Sequence, residues 1–108
     1  MNKIIRRYVT PDGVDVLQRW LDSLKDKRTN ARIRYRLARL EAGHLGDCKP
    51  VRQGVYELRL DFGPGYRVYF GLVAGNMILL TCGGTKGTQD RDVEVAIKYL
   101  EDFKRRQL

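Results

Sequence analysis

The run Tyr56-Glu57-Leu58-Arg59-Leu60-Asp61-Phe62-Gly63-Pro64-Gly65-Tyr66-Arg67-Val68-Tyr69-Phe70 constrains the fold more than any other part of the chain. Apolar and polar residues alternate on both sides of a glycine-proline turn, the pattern of two strands in a hairpin. A three-residue loop, Gly63 to Gly65, pairs Phe62 with Tyr66. Tyr56, Leu58, Leu60 and Phe62 then share one face with Tyr66, Val68, Phe70 and Leu72. The other face carries Glu57, Arg59, Asp61, Arg67 and Tyr69. Arginines and a tyrosine held in fixed positions on one sheet face are the raw material of an anion site.

The rest of the chain supplies elements around this hairpin. Ile4 to Val9 reads as a short strand. Thr10 is an N-cap candidate with Pro11 in the first helical position, and Val14, Leu17, Leu21 and Leu24 recur at helical spacing, so the first helix is predicted from Pro11 to Leu24. A second helix runs from Thr29 to Ala42, with Ile33, Leu37 and Leu40 as its apolar stripe and Gly43 as its stop. Beside that stripe lie Arg28, Arg32, Arg36 and Arg39, either a solvated face or a row of phosphate contacts. Strands are expected at Cys48–Arg52, Val55–Phe62, Tyr66–Val73 and Met77–Cys82. Gly75-Asn76 suggests a two-residue turn that places Ile78 and Leu80 on the side of Arg59 and Arg67. The last helix runs from Gln89 to Arg106, with Asp90 and Asp92 in its first turn and Lys104 to Arg106 in its last, as the helix dipole favours. The expected class is α+β: a small antiparallel sheet, preceded by a helical hairpin, followed by a C-terminal helix, with helices covering one face. Residues 1–108 are read as one domain.

Charge decides which functions to weigh. The net charge is +8, from 21 Lys and Arg against 13 acids, which points first to nucleic acid and then to an acidic protein partner. No apolar run is long enough to span a membrane, and Met1 to Arg7 lacks the apolar core of a secretory signal. Cys48 and Cys82 have no metal-ligand spacing and there is one histidine, His44, so no zinc site is expected. A reduced, cytoplasmic chain without metal or cofactor is the default. Ser23 is the only serine, which removes a Ser/His/Asp triad.

What remains is chemistry by Arg, Lys and Tyr. Gly83-Gly84-Thr85-Lys86-Gly87-Thr88 lacks P-loop spacing but presents a lysine between a strand and a helix. A site of this kind can cleave RNA, because the 2′-OH is a nucleophile already beside the phosphate. The protein must align it, accept its proton and neutralise the phosphorane. Arginine is a poor base at neutral pH, so Glu57 or a tyrosine such as Tyr69 is a candidate for that role. The structural alternative is that Arg59 pairs with Glu57, Asp61 or a loop, and Arg67 with Asp61 across the hairpin.

Tyr56-Glu57-Leu58-Arg59, Gly63-Pro64-Gly65-Tyr66-Arg67-Val68-Tyr69-Phe70 and Gly83-Gly84-Thr85-Lys86-Gly87-Thr88-Gln89-Asp90-Arg91-Asp92 resemble the RelE/ParE toxin superfamily, and within it the HigB branch, often called addiction-module killer proteins. The resemblance covers nearly the whole chain. It implies the toxin of a type II toxin–antitoxin pair that cuts mRNA in the ribosomal A site. Arg59, Arg67 and Lys86 match the family's basic positions. The implied partners are the ribosome, mRNA and a cognate antitoxin of helix-turn-helix type. RelE itself has a lysine where this chain has Glu57, and a tyrosine near the start of the last helix that this chain lacks, so the general base stays open. Two alternatives stand beside this reading: a ParE-like toxin that binds gyrase, and a non-toxic basic RNA-binding domain.

Overall fold

The structure, a computed structural model, describes residues 4–107. The element order is β1 (Ile4–Arg7), α1 (Val16–Ser23), α2 (Lys27–Glu41), β2 (Cys48–Arg52), β3 (Val55–Leu60), β4 (Tyr66–Val73), β5 (Met77–Thr85) and α3 (Gln89–Arg106). One turn of 3₁₀ helix, Lys86–Thr88, joins β5 to α3. The five strands form one sheet in the order β1-β5-β4-β3-β2. Strands β2 to β5 are antiparallel neighbours, and β1 joins β5 in parallel. The fold is therefore α+β with a mixed sheet. No described helix is long and apolar enough to cross a membrane.

Caps explain where the helices begin. Asp15, not Thr10, caps α1, its carboxylate accepting from the Gln18 N–H. Residues 10–14 instead form a turn: the Val14 N–H donates to the Thr10 hydroxyl, and Val9 and Asp15 make an isolated bridge. Asp26 caps α2, which starts at Lys27, ahead of the expected Thr29. At the other end the Gly43 N–H donates to Leu40 and the His44 N–H to Arg39. With Gly43 at φ +95, this is a Schellman stop.

The expectation of helices on one face is corrected. Both faces of the sheet are covered, and two apolar cores result. Leu17, Leu21, Ile33, Leu37 and Leu40 of α1 and α2 pack on Leu58, Leu60, Val68, Phe70, Ile78 and Leu80. On the other side Val93, Ala96, Ile97 and Leu100 of α3 pack on Tyr8, Val55, Tyr69, Leu79 and Cys82. Burying the second face takes apolar area out of water as the first does.

Register explains two further corrections. Leu60, not Phe62, pairs with Tyr66, so residues 61–65 form the connection. Five residues keep the parity of three, and the apolar faces still coincide. After β4, Val73 pairs with Met77, leaving Ala74, Gly75 and Asn76 as the turn. Ile78 and Leu80 therefore lie with Leu72 and Phe70, opposite the side expected. A bulge at Thr81 then shifts the register: Phe70 pairs with Leu80 but Tyr69 with Cys82. The Thr81 hydroxyl donates to the Tyr69 carbonyl at 2.9 Å.

Candidate functional site

Arg59 of β3 and Arg67 of β4 pair directly across the ladder. Like charges placed opposite each other repel, so each needs an answering carboxylate. Arg59 takes Asp47, in the loop before β2: its Nε donates to both carboxylate oxygens at 3.2 Å and its Nη2 to one at 2.9 Å. Those hydrogen bonds, and the guanidinium charge, hold the Asp47 carboxyl below the usual carboxylate range and raise Arg59. Arg67 takes Glu57, with Nε and Oε1 3.6 Å apart. Neither arginine pairs with Asp61.

Lys86 reaches the same place because β5 runs farther than expected, through Gly83 and Gly84 to Thr85. Thr85 pairs with Tyr66, and the Lys86 N–H donates to the Gly65 carbonyl at 2.8 Å. Both glycines have a packing reason. A Cβ on Gly83 would run into the Trp20 ring and one on Gly84 into the Asp92 carboxylate. Gly65, at φ +80, brings the turn against Lys86 and Arg67. Arg59, Arg67 and Lys86, with Asp47 and Asp61, thus line one cavity of about 280 Å3. Lys86 and Asp61 are exposed and make no salt bridge among the described residues.

Two of the expected site residues are not in reach of a substrate. Glu57 is 0% exposed and Tyr69 0%, because α3 covers the sheet face that carries them. The Gln89 amide donates to Glu57 Oε2 and closes over it. The assignment of Glu57 or Tyr69 as general base is therefore corrected. Glu57 is a buried counter-ion for Arg67. Burial and the nearby Glu57 charge push the Tyr69 phenol upward, further from ionisation. Glu57 Oε1, Arg67 Nε and the Tyr69 hydroxyl are buried without a hydrogen-bond partner, so this cluster is held by charge more than by hydrogen bonds.

The arginine row on α2 divides. Arg28, Arg32 and Arg36 line a larger groove against the end of β3, whereas Arg39 does not. Arg36 is also spoken for locally: its guanidinium donates to the carbonyls of His44 and Leu45, securing the loop that carries Asp47. The Arg32 guanidinium carbon sits over the Phe62 ring, 3.7 Å from its centroid. Asp47 and Gln89 are the site residues that sequence reasoning missed. Asp47 touches Arg59 from a loop with no periodicity to read. Gln89 stands in the segment singled out by its glycines and lysine, with its role invisible until α3 is docked. Among the described residues no group of three or more His, Cys, Asp or Glu side chains is placed to hold a metal ion.

Over 77 residues the chain is 48% identical to an uncharacterized protein of Haemophilus influenzae, a match that spans 71% of this chain and 78% of that one. The two belong to one family. No family model matches the sequence.

Proposed function

We propose that this chain is a RelE/ParE-type toxin whose activity is endonucleolytic cleavage of mRNA on the ribosome. The observation that carries the reading is the convergence of Arg59, Arg67 and Lys86 on one open cavity. Three cations at a phosphate supply the charge that an RNA-cleaving transition state needs, without requiring a metal. The resemblance of the same segments to the superfamily, and the net charge of +8, support it independently.

The chemistry is intramolecular transesterification. The 2′-oxygen bonds to phosphorus, and the bond to the 5′-oxygen of the next nucleotide breaks. Asp61, exposed and without an ion-pair partner among the described residues, accepts the 2′-OH proton. Lys86 returns a proton to the leaving 5′-oxygen. Arg59 and Arg67 hold the non-bridging oxygens as charge builds. The products are a 2′,3′-cyclic phosphate and a 5′-hydroxyl. The ribosome and mRNA are the targets, and a small antitoxin encoded beside the gene is the regulatory partner.

The test is induction in cells followed by mapping of mRNA 5′ ends. Cuts within translated frames are expected for the wild type. Arg59→Gln and Lys86→Gln should each lower cutting by about 10²–10³-fold, the loss typical of one transition-state donor. A DNA-damage response without cuts would favour a gyrase toxin, and harmless expression would leave a plain RNA-binding domain.

A further inference from the structure

Beside the anion cavity lies a larger groove, about 570 Å3, between α2 and the end of β3. Arg28, Ala31, Arg32 and Tyr35 face it from α2, and Leu60 and Phe62 from the sheet side. On a helix those four positions, spaced three and four apart, form one stripe. Tyr35 is 65% exposed, a large ring open to solvent. The groove and the anion cavity share Arg59 and Asp61 as a common wall.

We propose that this groove is a nucleobase subsite. It takes the base of an unpaired nucleotide whose phosphate lies among Arg59, Arg67 and Lys86. The chemistry of the walls selects this ligand class. A nucleotide joins a flat, weakly polar ring to an anion, and the groove joins a flat, weakly polar surface to a cationic cavity. The Arg32 guanidinium carbon sits over the Phe62 ring, and this guanidinium, with the exposed Tyr35 ring, supplies the kind of planar groups on which single-stranded bases stack. A base inside a duplex is already stacked on both sides and has no face to offer, so the subsite requires an unpaired strand. An acidic peptide would satisfy the arginines, but it has no use for a stacked guanidinium continuous with a phosphate-sized cavity.

The inference rests on the ribonuclease reading only in choosing RNA as the strand. The full chain is titrated at low salt with a short single-stranded oligoribonucleotide, followed by fluorescence anisotropy. The titration is repeated with oligonucleotides that carry one abasic residue at each position in turn. Tyr35→Ala should weaken binding of the intact oligonucleotide by about tenfold. One abasic position should weaken wild-type binding similarly, and with that oligonucleotide Tyr35→Ala should make no further difference. Arg59→Gln should weaken binding of both kinds. Equal wild-type affinity for intact and abasic strands would overturn the proposal. So would a Tyr35→Ala loss that persists on every abasic strand, or binding of an acidic apolar peptide with no oligonucleotide binding at all. Cellular mRNA cuts that persist alongside base-independent binding would sink the subsite and leave the nuclease reading intact. Base-dependent binding without cuts would do the reverse.

Discussion

Removing the charge of Glu57 should cost more than any surface change in the molecule. The carboxylate is fully buried. Its partner Arg67 has a side chain 11% exposed, against 1% for Glu57 itself. Glu57→Gln keeps the shape and can still meet the Gln89 amide, but it leaves the largely buried Arg67 guanidinium without its ion-pair partner. Breaking a buried pair from one side typically costs 3–5 kcal/mol. The residual exposure of Arg67 sets the expectation at the low end, about 3 kcal/mol. With a urea m-value of roughly 1.5 kcal/mol/M, the midpoint should fall by about 2 M. Arg67→Gln alone leaves Glu57 unpaired and should cost a similar amount. The double variant removes both charges, so its loss should be smaller than the sum of the two singles by at least about 1 kcal/mol. Urea denaturation of the four proteins, followed by circular dichroism, decides the matter. A Glu57→Gln loss under about 1 kcal/mol, or additive single losses, would refute the view that Glu57 serves as the buried counter-ion of Arg67.

Three further expectations come from particular contacts. Asp47 occupies the donor fork of Arg59, where a phosphate would bind, so Asp47→Asn should tighten binding of a single-stranded oligoribonucleotide by up to about fivefold, the range of an exposed ion pair; weaker binding would show that Asp47 helps rather than competes. Gly71→Ala directs a methyl group into the buried Leu100 side chain and should destabilise the fold by about 1–3 kcal/mol in the same denaturation assay, a loss that Leu100→Ala in the same chain should partly relieve. Burial, together with the Asp102 carboxylate that accepts its hydroxyl, lifts the Tyr8 phenol from 10.0 to about 12. The folded chain therefore holds this proton longer than the unfolded one, so Tyr8's contribution to stability is complete below pH 10 and is lost as pH rises toward 12. Tyr8→Phe should flatten that alkaline decline, as read by denaturation midpoints between pH 9 and 11.

Period and punctuation made most of the elements legible. Strands β2 and β4 and helix α3 begin and end where alternation and the acidic and basic helix ends place them. The local errors have local causes. Thr10-Pro11 looks like a helix start, but Asp15 competes for the cap, and the Thr10 hydroxyl is used to close a turn instead. Gly83 and Gly84 look like loop, but they continue β5 because Trp20 and Asp92 leave no room for a Cβ there. The site was half legible for a different reason. Strand parity puts Arg59, Arg67, Glu57 and Tyr69 on one face correctly, yet it is silent on which part of that face a later helix covers. The start of α3 lies over Glu57 and Tyr69 and leaves Arg59 outside, so two residues of equal promise in sequence become structural while their neighbours stay open.

The Thr81 bulge links these outcomes. With unbroken alternation through β5, Leu79, Thr81 and Gly83 would share one face, and Leu80, Cys82 and Gly84 the other. The extra residue instead sets both Leu79 and Cys82 under α3, while Ile78 and Leu80 stay under α1 and α2. It also exchanges the two glycines: Gly83 meets Trp20 of α1, and Gly84 meets Asp92 of α3. The strand can then run flush between helices on both sides as far as Thr85, which is what carries Lys86 to the Gly65 turn and into the cavity with Arg59 and Arg67. Were the same residues paired without the bulge, alternation would turn Thr81 toward α3 and Cys82 toward α1 and α2, and the glycine relief would lie opposite the wrong partners. The cationic cavity is thus a consequence of one irregular residue in the central ladder, which no sequence period records.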